Sequence, residues 1–363
     1  MGKVLKRLDI YIIKKFLGTY LFSIVLILSI AVIFDFNEKM DRLMTNNAPW
    51  ESIIFDYYLN FIPYFANLFS PLFVFISVIF FTSKLAENSE IIAMYSTGMS
   101  LPRLMIPYII SAAVISIVTF ILGSYIIPVG NSTRLEFENQ YIRKKTVTSV
   151  RNIQLEVDTG VIAYMGNYYD NTKTGRNFSL DKFEDKKLVS HLTARSITYD
   201  TTATYRWIIK DYMIRELSGL TETITSGERM DSIIRMEPSD FMITRSQQEM
   251  LTSPQLSEYI DKQRRRGFAN IKEFEIEYHR RIASSFASFI LTTIGLCLSS
   301  RKMKGGMGLN LGIGLGLSFS FIMFQTVSST FAVNGSMPPI LAVWIPNLLY
   351  ALIAVYLYIK TPK

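Results

Sequence analysis

Residues 104–127, LMIPYIISAAVISIVTFILGSYII, carry no charged side chain, whereas residues 147–157, VTSVRNIQLEV, alternate apolar with polar. A helix needs ~20 mostly apolar residues to cross ~30 Å of hydrocarbon, and the first run supplies them. The second has the period-two pattern of a strand with one wet face. The change of pattern after Pro128 therefore divides a membrane-spanning part from a soluble one. Working outward, similar apolar runs occupy 16–34, 68–82, 282–298, 309–333 and 339–359. Six spans are expected, three on each side of a central region of ordinary polarity. The whole chain has 363 residues, 49% of them hydrophobic, concentrated in 10–127 and 276–359.

Charge orients this layout. The net charge is +8, yet residues 128–275 hold 22 basic and 21 acidic side chains, so the excess lies elsewhere. With the N-terminus inside, the inner segments carry Lys3, Lys6, Arg7, Lys14, Lys15, Lys84, Arg103, Arg301, Lys302, Lys304, Lys360 and Lys363 against Asp9, Glu87 and Glu90. Every short inner loop then obeys the positive-inside rule. Both termini are expected in the cytoplasm and residues 128–275 outside. A nucleic-acid-binding surface is disfavoured, because the basic excess flanks membrane segments. The first apolar run lacks a small-residue cleavage site and reads as an uncleaved anchor. The single Cys297 excludes a disulfide or a CxxC metal site within one chain.

The central region reads as strands at Val147–Val157, Val161–Tyr169, Phe178–Phe183, Leu188–Asp200, Arg206–Leu217 and Thr221–Thr225. Turn residues separate them, such as Asp158-Thr159-Gly160 and Ser218-Gly219. An antiparallel sandwich or jelly-roll-like domain follows. The expected division is 1–127 for the first membrane half, 128–252 for the β domain and 253–363 for a connecting helix and the second membrane half. Ser253-Pro254 reads as a helix start, Gly267 as its stop, and Asn270 with Glu273 as the next capping box. Helix two, over 52–83, contains Pro63, Pro71, Asn60 and Asn67. In span five, Gly308, Gly312 and Gly316 form GxxxG repeats that permit close helix packing.

Catalytic chemistry is not advertised. His191 and His279 lie in different segments, and structural roles suit both better than a metal or nucleophile site. Asp35 and Asp56 are the only aspartates within membrane reach, so no chain of buried carboxylates for ion coupling is expected. Between spans two and three, Ser89–Thr97 reads as a two-turn helix with Asn88 or Ser89 as N-cap and Gly98 as terminator. Its Ile91, Met94 and Tyr95 lie near one face. Such a helix suits docking to an energy-supplying partner or lying on lipid headgroups, and the residues alone leave both readings open.

Two further runs carry a resemblance. Leu8-Asp9-x-Tyr11-Ile12-x-Lys14 resembles the opening of the LptF/LptG family of lipopolysaccharide-export permeases. So does Leu85-Ala86-x-x-Ser89-Glu90-Ile91-x-x-Met94-x-x-x-Gly98. The 3 + 3 spans, the inserted β domain and Met337-Pro338-Pro339 before span six also fit, the last looking more like the LptG half. The resemblance implies one permease half of an ABC transporter in the inner membrane of a Gram-negative-type bacterium, with the β domain periplasmic. Its implied partners are a homologous permease half, a dimeric cytoplasmic ATPase that alone binds ATP and magnesium, a periplasmic bridge of jelly-roll domains, and lipopolysaccharide. The chain itself would be non-catalytic and bind no cofactor or metal. The resemblance further implies ATPase coupling through Glu87, Ser89, Glu90, Ile91, Met94, Tyr95 and Gly98. Lipid phosphates would meet Lys39, Arg42 and Arg134, with snorkelling at the interface as the plainer reading of all three. Phe65, Phe69 and Phe324 are placed, by position, on apolar cavity walls. A permease of another ABC machine, for lipoprotein export or mechanotransmission, is the alternative function.

Overall fold

The computed structural model describes residues 6–143, 149–219, 221–241, 246–265, 271–300 and 306–361. Lys3, Val147, Gly267, Asn270, Arg301, Lys302, Lys304 and Lys363 from the sequence reading lie outside the described residues. In chain order the helices are α1 (Arg7–Thr45), α2 (Trp50–Ser52), α3 (Leu59–Leu68), α4 (Ser70–Glu87), α5 (Glu90–Ser96), α6 (Leu101–Ile121) and α7 (Ile127–Phe137). After strands β1–β6 come α8 (Pro238–Phe241), α9 (Ser253–Arg265), α10 (Lys272–Ser299), α11 (Gly306–Val333) and α12 (Pro339–Lys360). Among the described residues, six helical stretches are long and apolar enough to cross a membrane. They coincide with the six apolar runs.

Two details differ from the pattern reading. The basic lead-in and the first span are one 39-residue helix, about 58 Å long at 1.5 Å per residue, so part of it must extend beyond the hydrocarbon. Span two is broken. A π-helical segment, Ile53–Tyr58, precedes α3, and Phe69 leaves helical geometry before α4 restarts with Pro71 in its first turn. Proline has no N–H to continue the α3 ladder, so the chain bends and begins a new helix.

α4 is the spine of the membrane unit. One side, with Val74, Val78, Phe81 and Leu85, packs on Ile12 and Phe16 of α1 and Leu104 and Tyr108 of α6. The other, with Phe75 and Ile79, packs on Leu291 of α10, Phe321 of α11 and Tyr350 of α12. Its hydroxyls are shared out among the neighbours. Ser70 meets Tyr20 at 2.9 Å, Ser77 meets Ser23 at 3.2 Å, Thr82 meets Tyr108 at 3.0 Å and Ser83 meets Asn310 at 3.1 Å. Such bonds average about 0.6 kcal/mol inside a membrane, so close packing must do most of the holding.

The close approaches are not at the expected glycines. A Cβ on Gly308, Gly312 or Gly316 would meet nothing within 4 Å, and all three lie on an exposed face of α11. Gly314, midway between Gly312 and Gly316 and so on the opposite side of the helix, is buried with its missing Cβ 2.3 Å from Ile79 Cδ1. Gly295 of α10 sits similarly, 2.8 Å from Val78 Cγ1. The GxxxG spacing marked a small-residue stripe correctly but not the side on which α4 lies.

The central region forms one six-stranded antiparallel sheet in consecutive order: β1 (Ser149–Asp158), β2 (Val161–Tyr169), β3 (Thr174–Glu184), β4 (Lys187–Tyr199), β5 (Arg206–Ser218) and β6 (Thr221–Ile233). A line of residues crosses all six strands: Asn152, Gly166, Asn177, Arg195, Asp211 and Glu228. Asn152, Asn177 and Asp211 have φ of +54°, +55° and +50°. Asn and Asp tolerate this left-handed region better than other residues with a Cβ. Across the line the inward phase slips by one residue: Met165 to Tyr168, Phe178 to Gly175, Ala194 to Ile197, and Ile209 to half-buried Tyr212. The sheet bends there, and the inner sides of both arms fill a single core around Trp207 and Phe178. A meander folded on itself thereby gives the jelly-roll-like layering expected. His191 pairs with Asp181 across β3 and β4, and His279 stands edge-on to Tyr278.

Asn177→Val, which places a β-branched side chain at positive φ, should cost about 1–2 kcal/mol, whereas Asn177→Gly should be nearly neutral. Hydrogen exchange of β3 in the full chain reads both. Gly314→Leu should destabilise the membrane unit by about 1–3 kcal/mol through overpacking against Ile79, while Gly312→Leu leaves the purified chain's melting point unchanged. Equal effects from the two would refute the assignment of the packed face.

Candidate functional site

The short connection after α4 is built by backbone geometry, not by side-chain caps. Ser89 occupies the N-cap position at φ +61° without a capping hydrogen bond, and Asn88 Nδ2 instead reaches Glu90 Oε1 at 3.4 Å. At the other end Gly98, at φ +83°, donates its N–H to the Tyr95 carbonyl at 2.9 Å. Met99 N–H reaches the Met94 carbonyl at 3.2 Å. These two bonds form a Schellman motif, which a left-handed glycine permits.

The burial of α5 corrects its expected contact face. Ile91 and Met94 are buried in the cluster made by α1, α4 and α6, with half-buried Tyr95 packed against it. The chain's own core takes that side of the helix, which leaves the other side outward. Outward stand Glu87, Ser89, Ile92, Ala93 and Ser96, while half-buried Glu90 accepts from the Tyr11 hydroxyl at 3.3 Å. Nearby, Asp9 is gripped by both arms of Arg103, at 2.9 and 2.7 Å, and also accepts from the Lys6 N–H at 2.8 Å. The start of α1 is thus fastened to both ends of the α5 connection. Asp9 and Tyr11 belong to the opening motif of the sequence, which had no role until this geometry supplied one.

At the opposite end of the membrane unit the expected lipid-contact residues have different fates. Lys39 of α1 contacts Asp35 Oδ1 at 2.6 Å and the Tyr57 hydroxyl, and lies 4.8 Å from the Tyr57 ring centre. Arg42 is exposed one turn further on. Arg134, in contrast, is buried at 6% exposure, with Nε on Asn131 Oδ1 at 3.1 Å, Nη1 on Glu138 Oε1 at 3.1 Å and the Tyr64 ring 4.4 Å away. Phe65 stacks between Phe61 and Phe69, at 4.1 and 6.1 Å. Phe324 is half-buried on α11 and, among the described residues, shares no ring contact with them.

The profile of the lipopolysaccharide export system permease LptF/LptG family matches residues 10–360. The chain belongs to that family. No curated protein sequence matches it. The match spans the six helical stretches and the inserted sheet, so this LptF/LptG member is a multi-pass permease subunit of the inner membrane that serves lipopolysaccharide export. The family is a transporter membrane component and not an enzyme.

The permease also contains a buried ionic cluster whose acids lie outside the apolar runs. Arg281 of α10 is buried, with Nε on Glu277 Oε1 at 2.9 Å and Nη1 on the Leu251 carbonyl at 2.9 Å and Ser253 Oγ at 3.2 Å. Arg280 Nη2 holds the other Glu277 oxygen at 2.5 Å, and Asn131 Nδ2 reaches the Glu249 carbonyl at 3.4 Å. Tyr64, Asn67, Asn131, Glu249, Glu277 and Arg280 line a cavity of about 70 Å³ here. The acids lie just beyond the apolar runs, where a hydropathy reading assigns them to solvent. The i, i+3 and i, i+4 spacing of Glu277 with Arg280 and Arg281 was the available signal.

Burial pushes the Glu249 carboxyl above its ordinary value, reinforced by the Glu277 charge, with Arg280, the Tyr64 hydroxyl and Arg134 acting the other way. A carboxyl raised in the folded state contributes stability below its unfolded value and loses it as pH rises through the folded value. With the base-catalysed rise of intrinsic exchange divided out, protection of the amides at 249–253 should therefore fall as pH rises through that window. Glu249→Gln should flatten the protection profile and raise protection at neutral pH; a parent whose protection does not change with pH would contradict the assignment.

Proposed function

We propose that the chain is one half of a paired permease that draws lipopolysaccharide from the inner membrane, energised by a separate dimeric ABC ATPase that binds ATP and magnesium. The α5 end faces the cytoplasm together with both chain termini, in keeping with the basic inner loops. The β domain stands in the periplasm and passes lipid to a bridge of similar domains. The observation that carries this reading is the division of α5. Ile91, Met94 and Tyr95 fix it to the permease core, and Glu87, Ser89, Ile92 and Ala93 present a small mixed surface outward. A push on that surface reaches α1 through the Asp9–Arg103 pair and the Tyr11–Glu90 contact, and reaches α6 directly through Gly98. Rigid contact, not diffusion of a ligand, then couples the ATPase to the spans.

At the far end, Lys39 and Arg42 are the cations for the lipid phosphates, because both are at or near the surface at headgroup depth. Arg134, enclosed with Glu138, shapes that end of the helices instead. Half-buried Phe65 and Phe69, backed by buried Phe61, offer apolar surface to acyl chains.

Ile92→Asp, on the outward face, should abolish copurification of the ATPase while the melting temperature of the permease stays at the parental value. Retention of the ATPase at parental stoichiometry would sink the coupling assignment.

A further inference from the structure

The far ends of α1 and of the π-helical segment Ile53–Tyr58 form a small polar seat. The Asp35 carboxylate fills it. Lys39 Nζ lies 2.6 Å from Oδ1, the Tyr57 hydroxyl donates to Oδ2 at 3.0 Å, and the Tyr58 hydroxyl donates to the same oxygen at 3.2 Å. Lys39 also touches the Tyr57 hydroxyl. An ammonium and two phenols thus converge on one anion. The Tyr57 and Tyr58 rings stand edge to face at 4.9 Å, with Phe61 behind Tyr57 at 5.6 Å and Phe36 beside Tyr58 at 6.4 Å. The π-helical winding lets two consecutive tyrosines reach one carboxylate, a local geometry often found at functional positions.

The seat is not sealed. Asp35 and Lys39 keep 14% and 19% side-chain exposure and Tyr58 is half-buried, while Tyr57 is enclosed and forms the inner wall. Exposed Arg42 lies one turn beyond, on the same helix. A donor set of this kind is indifferent to which oxyanion it holds. Asp35 offers one charge and two oxygens, whereas a phosphate offers up to two charges and three free oxygens. A phosphate arriving at Lys39 must therefore either displace Asp35 or leave the lysine neutralised.

We propose that Lys39, Tyr57 and Tyr58 form a phosphate seat and that Asp35 is its built-in competitor, a counter-anion that holds the donors between lipid molecules and speeds release. This rests on the reading of Lys39 as a headgroup contact and adds two ligands and an antagonist to it. The competitor explains why a cation needed for binding stands beside an acid on its own helix. An empty seat would bury an uncompensated lysine, and a seat without a competitor would let go of its phosphate slowly.

The test measures affinity of the assembled permease complex for lipopolysaccharide, for the same lipid with its phosphates removed, and for inorganic phosphate as competitor. Asp35→Asn should tighten binding of the phosphorylated lipid about tenfold and slow its dissociation, with no change for the dephosphorylated form. Asp35→Ala, which withdraws the acceptor altogether, should move affinity the same way. Tyr58→Phe should weaken binding several-fold. In a Lys39→Gln background the Asp35→Asn gain should vanish. Displacement by inorganic phosphate would mean that the seat takes free phosphate, and resistance to it that the phosphate must be lipid-borne. If Lys39→Gln weakens binding but neither Asp35 variant tightens it, the competitor is refuted. If Lys39→Gln itself changes nothing, the headgroup reading of Lys39 falls instead.

Discussion

Everything in the membrane unit depends on the enclosure of α4. Inside a bilayer, apolar side chains gain little by leaving lipid for protein, so association must come from close fit and from polar groups that want partners. α4 supplies both. Glycines on α10 and α11 admit Val78 and Ile79 at distances a Cβ would forbid. Four of its hydroxyls reach α1, α6 and α11. A helix held on every side moves only with its neighbours, and α5 is attached directly to its end.

That attachment makes the short helix a handle more than a docking knob. Its apolar residues are spent on the permease's own core, and the left-handed Ser89 and Gly98 fix its angle to α4 and α6. The Asp9–Arg103 pair adds α1 to the same rigid group. Force applied at the outward surface therefore has three spans to act on.

Several cations of the membrane unit pair with an acid on their own helix. Lys39 is matched by Asp35, Arg134 by Glu138, and Arg280 and Arg281 by Glu277. Arg134 and Arg281 are buried, and leaving either unpaired at low dielectric would cost several kcal/mol; each has an acid four residues away on its own helix. If lipid phosphate binds at such a pair, as proposed for Lys39, binding is an exchange of anions and not a simple attraction. Exchange is compatible with release, which transport requires.

The amino-acid sequence by itself determined the six spans, their basic flanks, the six strands and the αL glycine after α5. Each of these follows from local composition: apolar length, period-two alternation, or a backbone angle that only certain residues accept. Even the bend of the sheet is written locally, in Asn152, Asn177 and Asp211. Only the tertiary structure decided which face of each helix points where. Hydropathy is nearly uniform around a spanning helix, so it could not tell Gly314 from Gly312 or turn Ile91 and Met94 inward. It also could not gather Glu249, Glu277 and Arg134 from three separate segments. Those choices are made by contacts between residues far apart in the chain, and the Asp35–Lys39 pair met Tyr57 and Tyr58 only when α1 packed beside the π-helical turn.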